Sequence, residues 1–230
     1  MSAPGTAVAS SMLRSRFLEG LAQPDLQIVL SAAKQLEFCA NSVVVNQGDP
    51  ADHFFLLTQG RVRYFSVTEQ GQKLSLFWQT PGEVFGGAAL VSKPSLYLIS
   101  TETVQDSCVL AWDRNTIRGL VAKHPVLLEN AFLIVHDHFD WYIATCRALS
   151  SHTARQRLGH ILVSAGRIIG QKVPEGVEID VTNEELASAA NVTPFTVSRA
   201  LNEWQRNHIV KKLRGKVLLM RPERLFPRLV

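Results

Sequence analysis

The chain has 230 residues, of which 46% are hydrophobic, and its formal net charge at pH 7 is +4. This length accommodates one large domain or two ordinary ones, and the apolar fraction is enough for a buried core. No apolar run reaches about 18 residues, so we expect no membrane span. The three scattered cysteines, Cys39, Cys108 and Cys146, fit a reducing cytoplasm better than a disulfide framework, so we expect the protein to lie in the cytoplasm.

Charge is distributed unevenly along the chain. Residues 1–149 contain 11 Lys and Arg against 13 Asp and Glu, whereas residues 150–230 contain 13 Lys and Arg against 7 Asp and Glu. A slightly acidic first part and a basic second part predict two domains with different partners, the basic one facing nucleic acid. The alternative is a basic surface that is merely solvated.

The first 35 residues show short helical patterns. One covers residues 11–21, and the second, which starts at Pro24, covers residues 25–34. The preceding segment, residues 1–12, has no positively charged region before its short apolar stretch. We interpret it as a tail rather than a signal peptide.

From residue 36 to about residue 112 the pattern changes to short β-rich runs separated by turns. Gln59-Gly60 and Gln70-Gly71 are typical of these turns. Strands at this spacing with glycine turns predict an antiparallel sandwich or barrel. The clearest runs occupy residues 43–45, 53–57, 61–65 and 74–78.

A long helical pattern then begins at Pro125 and runs to about Leu149. Its apolar residues recur at alternating spacings of four and three, which is the a/d seam of a two-stranded coiled coil. The alternative is a helix buried inside one domain, but the other faces carry charged residues such as Glu129 and Arg147. We therefore predict a homodimer through this helix. The seam consists of Leu128, Phe132, Val135, Phe139, Tyr142, Cys146 and Leu149.

The basic part of the chain starts where Ser150-Ser151-His152-Thr153 interrupts the helical pattern. Thr153 can cap a new helix that extends to about Ile169. We expect a loop over residues 170–176 and a strand over residues 177–181, where apolar residues alternate.

Two helix starts follow in close succession. Thr182 and Glu185 form a capping box, and Thr193 caps a second helix with Pro194 at its first position. Two short helices joined by a turn of about three or four residues form a helix-turn-helix.

The second helix combines an apolar stripe with a polar face. Val197, Leu201 and Trp204 can pack inward, and Arg199 comes early enough to reach a guanine edge in the major groove. Residues 211–219 form a basic hairpin after this helix, and its cationic side chains can bind DNA phosphates. The helix starts at Thr153 and Thr182 can bind phosphates through backbone N–H groups. An ordinary helical hairpin inside a core is the alternative. The predicted DNA-contacting residues are Thr153, Thr182, Thr193, Phe195, Thr196, Ser198, Arg199, Asn202, Arg206, Lys212, Arg214 and Lys216.

From about residue 20 to residue 225, the chain resembles the cyclic-AMP receptor protein/fumarate-nitrate regulator (CRP/FNR) family of bacterial transcription factors. This resemblance implies an α+β fold with an N-terminal antiparallel β-roll (a cyclic-nucleotide-binding-like jelly roll), a long dimerisation helix and a C-terminal winged helix-turn-helix. It also implies a non-enzymatic, ligand-gated homodimer on palindromic double-stranded DNA, with RNA polymerase as a further partner. The motifs that carry the resemblance are Asn46-Gln47-Gly48-Asp49, Gly60, Gly71, Pro81-Gly82-Glu83-Val84-Phe85-Gly86 and Thr196-Val197-Ser198-Arg199.

The three parts of the fold define the predicted domains. Residues 1–124 form the β-roll effector or sensor domain with short N-terminal helices. Residues 125–149 form the dimerisation helix, and residues 150–230 form the DNA-binding domain.

At the family's ligand pocket the sequence departs from the pattern of the cyclic-AMP binders. Their Phe-Gly-Glu stretch reads Phe85-Gly86-Gly87 here, and the Arg-Ser pair that holds the cyclic phosphate reads Tyr97-Leu98. Burying a phosphate without its cation costs on the order of several kcal/mol, so cyclic AMP is not expected to bind. An apolar effector is the expectation. The alternatives are an anion held by backbone N–H groups near Gly86-Gly87 and a pocket that side chains fill. The predicted pocket residues are Phe85, Gly86, Gly87, Ala88, Leu90, Tyr97, Leu98, Tyr142 and Ile143.

The recognition helix also departs from the family. A Glu often lies three residues before the Ser-Arg pair, and this position is Phe195 here. Phe can contact a thymine methyl but cannot accept a hydrogen bond from cytosine. We expect Arg199 to keep its guanine while the neighbouring base preference differs. A DNA-packaging protein without sequence preference is a further alternative, against which the polar face around Arg199 argues.

Other sensor chemistries place further conditions on the sequence. An iron–sulfur cluster requires four cysteines with three near the N-terminus, where only Cys39 lies, so no cluster is expected. Haem stays an open alternative with His53 and Cys39 as isolated ligand candidates. His136 and His138 point about 200° apart on a helix, so we expect no shared metal ion. A cupin-like metalloenzyme would need several His and Glu ligands on the strands, and only His53 lies in the β-rich region.

Overall fold

Two compact units make up the chain. The computed structural model describes residues 15–225 except residues 68, 70 and 72. The first unit runs up to Ser66 and resumes over Gln79–Phe139, and the second comprises Val67–Trp78 and the chain from Asp140 onward. The predicted N-terminal tail and the first four residues of the predicted helix at 11–21 lie outside the described residues.

The N-terminal helical region is shorter than the sequence pattern indicates. A 3-10 turn covers Arg16–Leu18, and helix α1 covers Gln23–Ser31 with Pro24 in its first turn. The expectation of helix as far as residue 34 is wrong, because Lys34 already pairs with Ala111 in a sheet.

Eight strands of the β-rich region confirm the predicted antiparallel β-roll. They form two four-stranded sheets, in the orders β1-β8-β3-β6 and β2-β7-β4-β5. Gly86, at a turn with φ +79°, tolerates no side chain, because a Cβ there would lie 2.7 Å from the His53 carbonyl oxygen. The strands are β1 (Lys34–Phe38), β2 (Val43–Val45), β3 (His53–Gln59), β4 (Val62–Val67), β5 (Lys73–Gln79), β6 (Val84–Phe85), β7 (Ser100–Thr103) and β8 (Ser107–Asp113).

Strand β3 is buried on both faces, which explains its continuous apolar run. Phe54 and Leu56 pack with the N-terminal turn and the helices, while Phe55 and Leu57 pack into a second core that includes Val109 of β8. A strand covered on both sides shows no alternation of apolar and polar residues, in agreement with this packing.

Helices α2 (Arg114–Lys123) and α3 (Val126–Ser151) follow the β-roll. The predicted long helix is confirmed, and it ends two residues later than expected. Helix α3 is continuous through Phe139 and Asp140, where the two units divide. The predicted boundaries at residues 124 and 149 remain a prediction. Within the described residues, none of the helices combines the length and the apolar character needed to cross a bilayer.

Three helices and a four-stranded sheet follow α3 in the second unit. The sheet has the order β11-β12-β10-β9. The expectation of a loop over residues 170–176 is partly wrong, because residues 171–173 pair with β10 as an antiparallel strand. The elements are α4 (Ala154–Ile168), β9 (Gln171–Val173), β10 (Gly176–Asp180), α5 (Asn183–Ala190), α6 (Pro194–Arg206), β11 (Val210–Leu213) and β12 (Lys216–Leu219).

The predicted helix caps of this unit are confirmed. Thr153 and Thr182 each take part in a reciprocal capping box, with Gln156 and Glu185 respectively. The Thr193 hydroxyl accepts a hydrogen bond from the backbone N–H of Thr196 at 3.2 Å. These caps fix where α4, α5 and α6 begin, and they satisfy N–H groups that have no partner inside a helix.

Candidate DNA interface and ligand cavity

Helix α6 is anchored by its apolar stripe. Val197, Leu201 and Trp204 are all almost fully buried. The turn before α6 is sharp, because Asn191 adopts the left-handed conformation with φ 49°, which Asn tolerates better than most residues. Ala200 is buried with them, and the exposed side chains of α6 lie on the other side of the helix.

The polar face of α6 begins in its first turn. Phe195 is 75% exposed, and Arg199 is exposed one turn later. Thr196 and Ser198 are half-buried, so their reach is shorter than the sequence suggests. Both Phe195 and Arg199 are therefore accessible to a binding partner. Of the predicted contacts, the exposed ones in or next to α6 are Thr193, Phe195, Arg199, Asn202 and Arg206.

The hairpin of β11 and β12 lies against α6 and forms the predicted wing. The Lys212 ammonium donates to the Asn202 side-chain oxygen at 2.8 Å, and the Lys212 backbone N–H donates to the Gln205 side chain at 2.9 Å. The hairpin turns at Gly215, with φ +70°. These contacts bring a wing lysine to the edge of the polar face of α6.

Lys216 has a different environment from Lys212 and Arg214. Its ammonium lies 2.6 Å from a carboxylate oxygen of Glu178 on β10. The hydrogen bond to Glu178 raises the pKa of Lys216 and offsets its charge locally. Lys212 and Arg214 are exposed, and they are therefore better placed than Lys216 to meet a phosphate.

Sequence reasoning missed an ion pair beside the polar face. Arg155, in the first turn of α4, pairs with Glu203 of α6, and its guanidinium carbon lies 5.6 Å from the centre of the Trp204 ring. The hydrogen bond from Arg155 is the main reason that the pKa of Glu203 is lowered, and Arg206 and Arg199 contribute as well. A permanent negative charge therefore lies among the cations of this face.

Arg157 of α4 was also missed. Its guanidinium donates to the carbonyl oxygens of Ala190 and Asn191, at 3.0 and 3.1 Å, and to that of His152 at 3.1 Å. His152 directly follows α3, while Ala190 and Asn191 form the turn of the helix-turn-helix. Arg157 therefore joins the end of α3 to that turn. Its two partners in the turn are backbone groups 33 and 34 residues along the chain, for which the sequence carries no signal.

A polar cleft of about 300 Å³ lies at the start of α5. It is lined by Thr182 and Asn183 and by both wing lysines, Lys212 and Lys216. Glu184 also lines the cleft, and the carboxylate of Glu185 accepts a hydrogen bond from the backbone N–H of Thr182 at 2.8 Å, so charges of both signs meet there. A phosphate contact at Thr182 stays a prediction, as does one at Thr153, which is exposed at the start of α4.

A second cavity, of about 420 Å³, lies in the first unit between the β-roll and α3. Three of the predicted pocket residues line it, namely Phe85, Gly87 and Leu90. We name it the ligand cavity. Its complete lining is Phe54, Tyr64, Val84, Phe85, Gly87, Leu90, Val91, Leu128, Ala131, Phe132, Ile134, Val135 and His138.

Other predicted pocket residues are placed differently. Leu98 is 83% exposed, so its assignment to the pocket is corrected. Tyr97 is buried, and its hydroxyl donates to the His53 carbonyl at 2.8 Å and accepts from the His53 N–H at 3.0 Å. The Tyr97 hydroxyl therefore hydrogen-bonds to the chain's own backbone. Ala88 packs on the core between the sheets. Tyr142 and Ile143 belong to the second unit, and their assignment to the pocket stays a prediction.

One end of the ligand cavity is polar. The buried Gln79 amide donates to the Tyr64 hydroxyl at 3.1 Å and to the Val84 carbonyl at 2.9 Å. The Tyr64 and His138 rings meet edge-on, with their centres 6.3 Å apart. Burial lowers the pKa of His138, so this imidazole is neutral at pH 7.

Haem does not fit the ligand cavity. His53 and Cys39, the two ligand candidates, are exposed and are not among the lining residues. His138 offers one imidazole, but none of the described lining residues carries a positive charge for the haem propionates. Across the described part of the chain, no cluster of three or more His, Cys, Asp or Glu side chains is arranged to hold a metal ion.

The predicted seam of α3 is largely exposed in the single chain. Leu128, Phe132, Val135, Phe139 and Leu149 are between 43% and 69% exposed, Cys146 is exposed and Tyr142 is half-buried. A continuous apolar stripe of this kind on one helix marks an interaction surface.

Comparison with known proteins agrees with this architecture. Residues 35–124 match the model of the cyclic nucleotide-binding domain, and residues 156–226 match that of the Crp-like helix-turn-helix domain. The cyclic AMP receptor protein of Thermus thermophilus is 26% identical over 206 residues, which cover 90% of this chain and 93% of that protein.

Two solved structures share the fold. The c-di-GMP-responsive global regulator CLP of Xanthomonas campestris superposes with a TM-score of 0.75 at 16% identity, covering 86% of this chain and 99% of that one. FixK2 of Bradyrhizobium japonicum gives 0.73 at 19% identity, with coverages of 84% and 95%. The two domain models together cover most of the chain, and the aligned relative is a regulator whose alignment spans both domains. The chain therefore belongs to the CRP/FNR family of transcription regulators.

Proposed function

We propose that the protein acts in the cytoplasm as a homodimer that reads an inverted-repeat operator through α6 and the wing. The observation that carries this proposal is the exposed first half of α6. There, Arg199 and Phe195 project beside a wing that is attached through Lys212 and Asn202. An arginine early in a recognition helix can bind the O6 and N7 atoms of guanine.

The roles on this surface follow from side-chain chemistry. Arg199 reads a guanine, and Phe195 contacts a neighbouring thymine methyl. Lys212 and Arg214 bind phosphates, as do the helix starts at Thr182 and Thr153. Phosphate contacts fix the position of the protein on DNA, while the two base contacts supply the sequence preference.

Dimerisation through the seam of α3 sets the form of the operator. Two chains related by a twofold axis present two copies of α6, about 34 Å apart for half-sites in successive major grooves. The operator is therefore an inverted repeat. RNA polymerase is the further partner that a transcription regulator of this family implies.

The ligand cavity supports gating by a small effector other than cyclic AMP. The described lining contains no arginine or lysine to neutralise a cyclic phosphate. Moreover, the Tyr97 hydroxyl is hydrogen-bonded to the backbone of His53. A buried phosphate would lack a counterion, which is strongly unfavourable.

Selection of bound sequences from random double-stranded DNA tests the proposal. We expect an inverted repeat with a guanine in each half-site, bound by two chains. Random sequences without a consensus would instead identify a packaging protein. A consensus without twofold symmetry would contradict the dimer.

A further inference from the structure

The ligand cavity has a buried floor and an exposed mouth. On the β-roll side, Phe54, Val84 and Phe85 are at most 5% exposed. On the α3 side, Phe132 and Val135 are 69% and 58% exposed. These two residues also belong to the predicted seam, where a partner helix packs along the outer face of α3. In the proposed homodimer a second chain covers the mouth, while the floor remains available to a small molecule.

The lining restricts the charge of that molecule. Among the described lining residues the polar side chains are Tyr64 and His138, and none is an Asp, Glu, Lys or Arg. An ionised group inside the cavity would lose its hydration and gain no counterion, which costs on the order of several kcal/mol.

The polar end restricts where a polar atom of the ligand can lie. Gln79 fixes the Tyr64 hydroxyl by a hydrogen bond, and the imidazole of His138 stands edge-on to the Tyr64 ring. These two groups offer hydrogen bonds without a formal charge. The other walls are aromatic and aliphatic, and the volume of about 420 Å³ is in the range of small-molecule sites.

We propose that the ligand cavity binds an uncharged, mostly apolar small molecule whose polar group meets Tyr64 and His138. This inference rests on the proposed function, in which the cavity is the effector site, and it adds the chemical class of the effector.

Gly87 lines the cavity at an exposed position where a larger side chain can be added without strain. A Cβ built there meets no heavy atom within 4 Å, and the residue does not adopt a positive φ. Gly119 of α2 has equally open space around its Cβ, and it does not line the cavity. The substitutions Gly87→Phe and Gly119→Phe therefore form a matched pair, in which only the first reaches the cavity.

Two fluorescent probes with the same aromatic rings test the inference on the full-length protein. N-phenyl-1-naphthylamine is neutral, and 1-anilinonaphthalene-8-sulfonate carries one negative charge. We expect the neutral probe to bind at one site per chain, with a Kd at least about tenfold lower than that of the sulfonate. Gly87→Phe should raise the Kd of the neutral probe about tenfold or more, and Gly119→Phe should leave it unchanged.

Several results would overturn the inference. Equal or tighter binding of the sulfonate, no binding of either probe, or unchanged binding of the neutral probe to folded Gly87→Phe would each do so. If Gly87→Phe fails to fold, Val91→Trp adds bulk from the half-exposed edge of the same cavity. The comparison of the two probes on the unmodified protein tests the inference even if neither variant folds. DNA selection separates the two proposals, because a protein that binds its operator but not the neutral probe disproves only the effector class.

Discussion

Arg199 is the first exposed arginine of α6, so its replacement tests whether this residue reads a base. Arg199→Ala should cost roughly 1–3 kcal/mol per half-site and relax the preference at one base pair, because a two-point contact to guanine is lost. Binding selection followed by affinity measurement gives both values. Arg167→Ala, which removes an exposed arginine at the far end of α4, should change neither. An unchanged consensus for Arg199→Ala would show that another residue reads the base.

The two wing lysines should differ in their contribution to DNA affinity. Lys212→Ala should weaken binding to all sequences alike and reduce the salt slope by roughly one unit, because one phosphate contact is lost. Lys216→Ala should have a smaller effect, since Glu178 already neutralises this ammonium. Salt titrations compare both variants with Lys172→Ala on the outer strand β9. Equal losses for Lys212→Ala and Lys216→Ala would mean that the Glu178 pair opens on DNA.

His160 makes stability depend on pH. Burial is the main cause that lowers its pKa below the usual value for an imidazole, and the charge interactions with His152 and Arg167 act in the same direction. The unfolded chain therefore takes up a proton near pH 6.5 that the folded chain does not, so stability is lost as the pH falls below that value. His160→Leu should reduce the drop in denaturation midpoint between pH 7.5 and about pH 5.5. His208→Asn at an exposed position with φ 53° is the control, and an equal drop in both variants would contradict this origin.

At the scale of the element, α3 carries the apolar seam on which the proposed homodimer depends. Phe139 is 61% exposed at the middle of the seam. Phe139→Glu places two carboxylates opposite each other in a coiled-coil interface, so sedimentation should show monomers that bind the operator weakly. Leu133→Glu, at a position 40% exposed outside the seam, should remain dimeric. A stable Phe139→Glu dimer would place the interface elsewhere.

The elements that could be predicted from the sequence are those with local signals. The capping residues Thr153, Thr182 and Thr193 and the hairpin after α6 depend on neighbours within a few residues, and the structure confirms them. Strand β9 was missed, because three residues beside a glycine turn carry no periodicity. The exposed position of Leu98 also lay beyond sequence reasoning. The family's phosphate-binding pair aligns with Tyr97-Leu98, but whether these side chains face inward depends on packing.

At the scale of the whole molecule, the contacts missed from the sequence are those that join distant segments. Arg157 contacts residues 33 and 34 positions further along, and Arg155 pairs with Glu203 48 positions away. The ligand cavity likewise combines residues of strands β3, β4 and β6 with residues of α3. The charge asymmetry and the order of elements predicted the architecture, because they are properties of whole segments, whereas a site depends on individual contacts.

Arg157→Lys tests the connection between α3 and the helix-turn-helix. An ammonium keeps the charge but cannot reach three carbonyl oxygens in a planar arrangement. Losing two of the three hydrogen bonds should lower stability by roughly 1–3 kcal/mol. Operator affinity should fall while the selected consensus stays the same, because the bases are read by other residues. Arg118→Lys, at an exposed position on α2, is the control. A changed consensus would mean that Arg157 acts on α6 in another way.

The three contacts of Arg157 also have a mechanical consequence. The guanidinium of Arg157 binds His152, the residue after α3, and also the turn before α6, so it resists rotation of these two segments against each other. In the proposed homodimer, a rotation at the end of α3 would then be passed to α6 rather than absorbed by bending at His152. The spacing of the DNA grooves is fixed, so such a rotation would change how well the two copies of α6 fit both half-sites at once.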